Sequence, residues 1–213
     1  MIRAAALLLM LLVLLLGCSS SHPARTHTVT TTVFWVGEPS TPDNRFISNV
    51  PSVWQNNWMA YYGGPDDPRT YTGYRPITFV PKENPFYFAL PYSDYADGKV
   101  KKNITEVPWY QGKPPVGVSI IKNRWIAVTY RGRTAYGQWE DAGPLGEDDV
   151  AYVFGSAGPH YRPSGLDLSP AMATHLGLDG RGRTTWQFVD ETEVPDGPWK
   201  ETVTRSQIDW VNG

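Results

Sequence analysis

The sequence contains little cysteine, no surplus of basic charge and no metal-ligand pattern. Cys18 is the single cysteine in 213 residues, so no disulfide can form within the chain, and a folded domain must depend on buried apolar surface. The 19 Lys and Arg residues face 21 Asp and Glu residues, for a net charge of −2. This balance gives no electrostatic basis for binding nucleic acid or anionic lipid. The four His residues lack metal-ligand spacing, and residues 179–183 lack the Lys of a phosphate loop, so we expect no metal and no cofactor.

The longest apolar run lies at the beginning of the chain. Residues 4–16 are apolar and follow Arg3, but the run is too short for a comfortable membrane-spanning helix and is typical of a secretory signal. It ends in LLGC (15–18), which resembles the lipobox of bacterial lipoproteins. The resemblance implies a signal peptide at 1–17, a lipid on Cys18 and membrane attachment through that lipid alone. Ser19, in place of Asp, favours the outer membrane, facing the periplasm, and residues 18–27 read as a polar tether.

Aromatic residues, by contrast, are abundant. With 9 Trp, 12 Tyr, 19 Pro and 20 Gly, the chain has many short segments rich in rings and β-branched residues, separated by turn residues, which favours a mainly β domain. The pattern predicts strands at 28–36, 86–92, 116–121, 124–130, 133–140, 148–154 and 184–189, with turns at 122–123 and 131–132. It also predicts two short helices, one capped by Ser52 and ending at Gly63, the other capped by Ser169 and ending at Gly177. The polar residues from 195 onward are predicted to lie over the surface.

The segment QWEDAGP (138–144) places two adjacent carboxylates, Glu140 and Asp141, before a Gly-Pro turn. Successive residues of a strand face opposite sides, so a regular strand would keep these two acids out of one pocket. Asp141 would then share a face with Trp139, and Glu140 a face with Tyr136. A bulge at the strand end would reverse this assignment.

The order of elements resembles a known fold. A hairpin, a strand ending in DAGP (141–144), a helix entry GLDLSP (165–170) and a final strand are similar to the double-psi β-barrel of rare lipoprotein A, the expansins and their endoglucanase relatives. The resemblance implies a mainly β chain with a six-stranded double-psi β-barrel and one or two short helices over 28–194. It also implies a long insertion at about 37–85 and a tail at 195–213.

The same resemblance implies an activity. Asp141 corresponds to the acid that rare lipoprotein A and lytic transglycosylases with this barrel use to cleave peptidoglycan, through intramolecular attack of a sugar hydroxyl. One acid/base is enough for that reaction, and Asp167 and Glu140 are the candidates to assist it. For Asp167, a structural role at the helix entry is the stronger alternative. Leu166, where the family often has His or Ile, and the missing expansin disulfides are departures that weaken the transfer of activity.

Five further residues are candidates for binding substrate. Trp139, Tyr136 and Trp125 have rings able to stack on sugars, although core packing is the stronger alternative for any single ring. His160 and Asp94 fall in loops that are able to line a groove, with a solvated loop and a Ser-Asp turn as the alternatives.

Three functions therefore remain open from the sequence. The first is a lipoprotein that binds and cleaves peptidoglycan or another polysaccharide, as a lytic transglycosylase or glycosidase. The second is a glycan-binding or wall-remodelling module without activity. The third is an envelope structural protein whose aromatic insertion binds a protein partner of unknown identity. Whether the protein is an enzyme is not decided at this level.

Overall fold

The computed structural model describes residues 25–160 and 164–210, so Cys18 and the proposed signal peptide lie outside the described residues. The described strands are β1 (His27–Val33), β2 (Tyr71–Thr72), β3 (Arg75–Pro76), β4 (Tyr87–Leu90), β5 (Tyr95–Ala96), β6 (Lys99–Val100), β7 (Trp125–Tyr130), β8 (Arg133–Ala142), β9 (Leu166–Leu168) and β10 (Arg181–Val189). The described α-helices are α1 (Trp58–Tyr62), α2 (Val150–Val153) and α3 (Pro170–Leu176), with 3₁₀ turns at Pro68–Thr70, Lys102–Glu106, Glu191–Glu193 and Pro198–Lys200. None of these helices has the length and apolar character needed to cross a membrane.

Six of the strands form a closed barrel. Their order is β1-β10-β7-β8-β4-β9, and β9 pairs back onto β1. β1 runs parallel to β9 and β4 runs parallel to β8, whereas the other four pairs are antiparallel. The prediction of a mainly β chain with a six-stranded barrel is confirmed. The small pairs β2–β3 and β5–β6 lie outside the barrel.

Large rings fill the main core. Phe88 on β4 stacks against Trp139 on β8, with ring centroids 5.9 Å apart, and Trp54 meets Trp139 edge to face at 6.2 Å. Trp186 on β10 is also buried, and its indole N–H donates to the hydroxyl of Tyr152 at 3.0 Å. Each such ring buries a large apolar area, which is how a domain without disulfides obtains its stability.

Much of the segment 34–86, between β1 and β4, packs on the outer face of β4, while its Trp54 belongs to the main core. A second apolar cluster joins the two: Phe34, Val36, Trp58, Tyr62, Tyr87 and Ala89. Next to it, the buried carboxylate of Asp66 accepts hydrogen bonds from the hydroxyls of Tyr62 (2.7 Å), Tyr71 (2.6 Å) and Tyr87 (2.7 Å). Tyr87 belongs to the barrel and the other two tyrosines to the segment, so this network ties the segment to the barrel wall.

Two local predictions are confirmed. β7 and β8 form a hairpin through Arg131 and Gly132, both at positive φ. In α3, the Ser169 hydroxyl accepts the Met172 N–H at 3.2 Å, and Gly177 ends the helix in the left-handed region.

Three other local predictions are wrong. Residues 116–121 form no strand, so the hairpin predicted through residues 122–123 is absent: the Ser119 hydroxyl accepts the backbone N–H groups of Ile121 and Lys122 and turns the chain. The segment 148–154 contains the helix α2. Ser52 caps a turn by accepting the Gln55 N–H at 3.2 Å, and α1 begins only at Trp58.

The C-terminal segment is also not the surface tail that its polarity predicts. Trp199 is buried, and the backbone N–H of Thr204 donates to the side-chain carbonyl of Gln138 on β8 at 2.8 Å. Asn84 donates to that same Gln138 oxygen at 2.9 Å and to the carbonyl of Trp199 at 3.0 Å. The segment therefore packs against the end of the barrel through buried polar contacts.

Candidate functional site

A β-bulge in β8 decides the orientation of Asp141. Phe88 pairs with Trp139 and the next residue, Ala89, pairs with Asp141, which leaves Glu140 as the extra residue of β8. Phe88 faces the main core, so Ala89 and its partner Asp141 face the outside of the barrel. The prediction that Asp141 shares a face with Trp139 is therefore wrong, because the bulge at Glu140 breaks the strand alternation between them.

Asp141 is the end of a row of residues that crosses five strands. Ala89 on β4 pairs with Asp141 on one side and with Asp167 on the other. Thr32 on β1 pairs with Asp167 and, on its far side, with Arg181 on β10. Residues paired in register have side chains on the same face of a sheet. All five line an open cleft of about 490 Å³ on the outside of the barrel, and they form its floor.

Hydrogen bonds hold the carboxyl of Asp141 through one of its two oxygens, Oδ1. Oδ1 accepts the backbone N–H groups of Val53 and of Ala142, each at 2.8 Å. Within the described residues, the other oxygen, Oδ2, has no hydrogen-bond partner. It is also not fully buried. Burial raises the pKa of Asp141 to about 7, while the two N–H groups act to lower it and the nearby Asp167 acts to raise it. Asp141 is thus able to exchange a proton near neutral pH.

Asp167 presents a second carboxyl to the cleft. The Thr32 hydroxyl donates a hydrogen bond to its Oδ1. Burial is the main cause that raises the pKa of Asp167 to about 7, and Thr32 acts to lower it. Ser169, and not Asp167, is the N-cap of α3. No backbone N–H of the described residues donates to Asp167, so it does not bind the N–H groups at the helix entry.

The walls of the cleft come from the segment after β1 and from the turn after β8. Trp35, which is half-buried, lines the cleft together with Pro144 and Leu145. The exposed Arg45 also belongs to the lining. Sequence analysis did not select Trp35, Arg45 or Arg181. No local pattern indicates them: alternation continued beyond β1 would place Trp35 on the side of Val33 and away from Thr32, and a single Arg carries no signal.

Glu140 does not reach the cleft. It is fully buried and forms an ion pair with Lys122, which is buried as well. Burial raises the pKa of Glu140 to about 7, with Lys122 acting to lower it and Glu83 to raise it. Lys122 also donates to the hydroxyl of Ser206 at 3.2 Å, and that hydroxyl donates to Glu83 at 2.5 Å. Glu140 therefore belongs to a buried polar network, apart from Asp141.

The three rings selected from the sequence lie elsewhere too. Trp139 is fully buried, so it has no face for a sugar, but its indole N–H donates to the carbonyl of Asp141 at 2.8 Å and thereby positions the acid. Trp125 is 2% exposed and outside the cleft. Tyr136 packs on Trp199, with ring centroids 5.0 Å apart.

Asp94 and His160 are likewise not part of the cleft wall. Asp94 is buried and accepts the Ser119 hydroxyl at 2.9 Å and the Ile120 N–H at 2.7 Å, which makes it an anchor for that loop. His160 is exposed, and its backbone N–H donates to Asp149 at 2.7 Å. Across residues 25–160 and 164–210, no group of three or more His, Cys, Asp or Glu side chains is arranged to hold a metal ion.

Fold and cleft together define a mainly β protein with a closed six-stranded barrel and a cleft whose floor carries two carboxyls. No protein-family model matches the chain, and neither does any curated protein. Among solved structures, it is similar to the Streptomyces papain inhibitor, at 17% sequence identity and a TM-score of 0.34, over 79% of this chain and 98% of that one. A likeness at this level carries no conclusion about function.

Proposed function

We propose that the cleft binds a glycan strand of peptidoglycan and that Asp141 is the general acid/base in its cleavage. The observation that carries the proposal is the row on the cleft floor, where Asp141 and Asp167 flank Ala89 and each has a pKa of about 7. Perturbed carboxyls in an open cleft are typical of catalytic sites. The resemblance of DAGP and DLSP to the motifs of rare lipoprotein A supports the choice of glycan.

The proposed chemistry needs one proton and no protein nucleophile. Asp141, protonated on Oδ2, gives its proton to the glycosidic oxygen as the C–O bond to the anomeric carbon breaks. The resulting carboxylate then takes the proton of a hydroxyl of the same sugar, whose oxygen forms the new C–O bond. Since Oδ1 is occupied by two backbone N–H groups, Oδ2 is the oxygen that faces the reacting bond. Asp167, on the other side of Ala89, is placed to bind a sugar hydroxyl.

The lining of the cleft also indicates which side chain would contact the glycan. The half-buried ring of Trp35 supplies a flat apolar surface beside the floor, the kind of surface on which a sugar stacks. We include Trp35 in the proposed binding site in place of Trp139, Tyr136 and Trp125. Replacing it with Ala is expected to weaken binding without changing the proton chemistry of Asp141.

The location of the protein is a proposal of its own. We propose an exported lipoprotein, attached through a lipid on Cys18 to the outer membrane and facing the periplasm, on the strength of the LLGC motif and Ser19. Cells grown with labelled palmitate test it: wild type is expected to carry label in the outer-membrane fraction, and Cys18→Ala to carry none.

Digestion of purified sacculi tests the activity. Wild type is expected to release anhydro-muropeptides, Asp141→Asn to bind the sacculi without release, and Asp167→Asn to release fewer. Asp196→Asn changes an exposed carboxylate outside the cleft and serves as the matched control. Binding without release by wild type would overturn the catalytic proposal and leave a glycan-binding module. Absence of binding would overturn both and leave an envelope structural protein.

A further inference from the structure

Two guanidinium groups line the cleft, and among residues 25–160 and 164–210 neither has a side-chain partner. Arg181 and Arg45 both belong to its lining, and both are exposed. In the part of the chain that the structure describes, the ion pairs involve Arg69, Lys101, Lys122 and Arg205, and no side-chain hydrogen bond leaves Arg181 or Arg45. An Arg side chain presents five N–H donors in a planar fork that fits a carboxylate. Two such forks without partners in one cleft are available for a ligand.

The row on the cleft floor fixes where Arg181 lies relative to the acids. Arg181 pairs with Thr32 and Thr32 with Asp167, so two strand spacings, roughly 10 Å, separate the backbones of Arg181 and Asp167. Two further spacings lead to Asp141, at about 19 Å from Arg181 along the sheet. A glycan strand that crosses the barrel strands along this row has one part at Asp141 and another at the guanidinium of Arg181.

The carboxyls of the cleft do not pair with these arginines. Besides Asp141 and Asp167, the lining contains Glu38 and Asp43. Oε2 of Glu38 accepts the side-chain amide of Asn49 at 2.8 Å, and burial raises the pKa of Glu38. With pKa values raised to about 7, Asp141 and Asp167 carry less negative charge near neutral pH than ordinary carboxyls do. Within the described residues, none of the four acids of the lining forms an ion pair with Arg181 or Arg45.

We propose that Arg181, together with Arg45, forms an anion subsite that binds a carboxylate of the glycan strand. This inference rests on the proposed function and narrows its substrate class to strands that carry carboxylates. In peptidoglycan the carboxylate is present on the sugar once the peptide stems are removed, or on the stems themselves. Charge-assisted, bidentate hydrogen bonds give the subsite both its attraction and its orientation.

Binding of three glycan preparations to the full-length protein tests the subsite. The first is glycan strands freed of peptide stems, the second is the same strands with their carboxyls reduced to alcohols, and the third is strands with their stems intact. Each is measured with wild type, Arg181→Gln and Arg45→Gln. The matched control is Arg183→Gln, which changes an exposed Arg two residues along β10 that is not part of the cleft lining.

Wild type is expected to bind the carboxylate-bearing strands about fivefold more tightly than the reduced strands, a difference typical of one partly exposed ion pair. Arg181→Gln is expected to remove that preference while binding to the reduced strands is unchanged, and Arg183→Gln to keep it. A preference for the first or the third preparation identifies the sugar or the stem as the source of the carboxylate. Equal binding of all three by wild type would overturn the subsite but not the glycan site, whereas binding of none would overturn the proposed function and the subsite with it.

Discussion

Asp141 and Asp167 pair in register with the same residue, Ala89, from opposite sides. They belong to β8 and β9, which do not pair with each other, and they meet at Ala89 because β4 runs parallel to β8 and antiparallel to β9 in the closed barrel. The side chain between them is a single methyl group, so no larger side chain separates the two carboxyls along the row.

The first prediction concerns pH and stability. Burial raises the pKa of Asp66, Glu140, Asp141 and Asp167 to about 7, above the value of about 4 for an unfolded chain. The folded state therefore binds protons more tightly, so the stabilisation is complete below about pH 4 and is lost as the pH rises towards 7. Each group contributes a slope of up to ~1.4 kcal/mol per pH unit. Urea unfolding from pH 4 to 8 is expected to show this decline.

Substitution of a single carboxyl measures how much it contributes to the pH dependence of the free energy of unfolding. Asp141→Asn is expected to make the pH dependence of the free energy of unfolding less steep between pH 4 and 7, whereas the exposed control Asp196→Asn leaves it as in wild type. Identical slopes for Asp141→Asn and wild type would contradict the assignment of a raised pKa to Asp141.

The second prediction concerns the buried pair of Lys122 and Glu140. Lys122→Met leaves Glu140 buried beside Glu83 without a positive partner, which is expected to destabilise the fold by about 3–5 kcal/mol, more at pH 8 than at pH 5, where Glu140 is protonated. Adding Glu140→Gln is expected to recover part of the loss. Arg205→Met is the control, because its ion pair with Glu191 is exposed on both sides, and a change below about 1 kcal/mol is expected.

The third prediction concerns the network that holds the segment 34–86 on the barrel. The Tyr87 hydroxyl donates to Asp66 at 2.7 Å and accepts the Val36 N–H at 3.0 Å. Tyr87→Phe removes this hydroxyl and leaves Asp66 and the Val36 N–H buried with one hydrogen bond fewer. The free energy of unfolding is therefore expected to fall by about 1–3 kcal/mol, and proteolysis within the segment to become faster. Tyr61→Phe, at an exposed position of the same segment, is expected to leave stability and proteolysis unchanged. Equal proteolysis of the two variants would show that the network does not fix the segment.

The fourth prediction concerns the contact between α3 and β8. A Cβ atom at Gly137 would lie 2.5 Å from the sulfur of Met172 and 3.0 Å from the carbonyl of Phe86. Gly137→Ala is therefore expected to destabilise the fold by about 1–3 kcal/mol through overpacking. Met172→Ala in the same chain removes the nearer atom, and thermal unfolding of the double variant is expected to show less than the sum of the two single losses. If the losses of the two single variants add strictly in the double variant, the strain of Gly137→Ala does not come from its contact with Met172.

Sequence analysis predicted the elements whose signals are local. The Arg131-Gly132 hairpin and the Ser169-capped helix both depend on turn and capping residues that act within a few positions. Periodicity alone did not distinguish the buried helix α2 from a strand, since four apolar residues in a row fit both. The polar sequence after residue 195 also did not reveal that its polar groups are satisfied by Gln138 and Asn84 inside the molecule.

The sequence by itself determined the fold class, because the spacing of aromatic, β-branched and turn residues specifies short strands around a core of rings. It also contained DAGP and DLSP, from which Asp141 and Asp167 were selected. Only the tertiary structure decided which way these residues face, because one extra residue at Glu140 shifts the register and reverses the side of everything after it. The joining of Thr32, Arg181 and the two acids in one row required strand pairing across more than 100 residues of sequence, which no local pattern specifies.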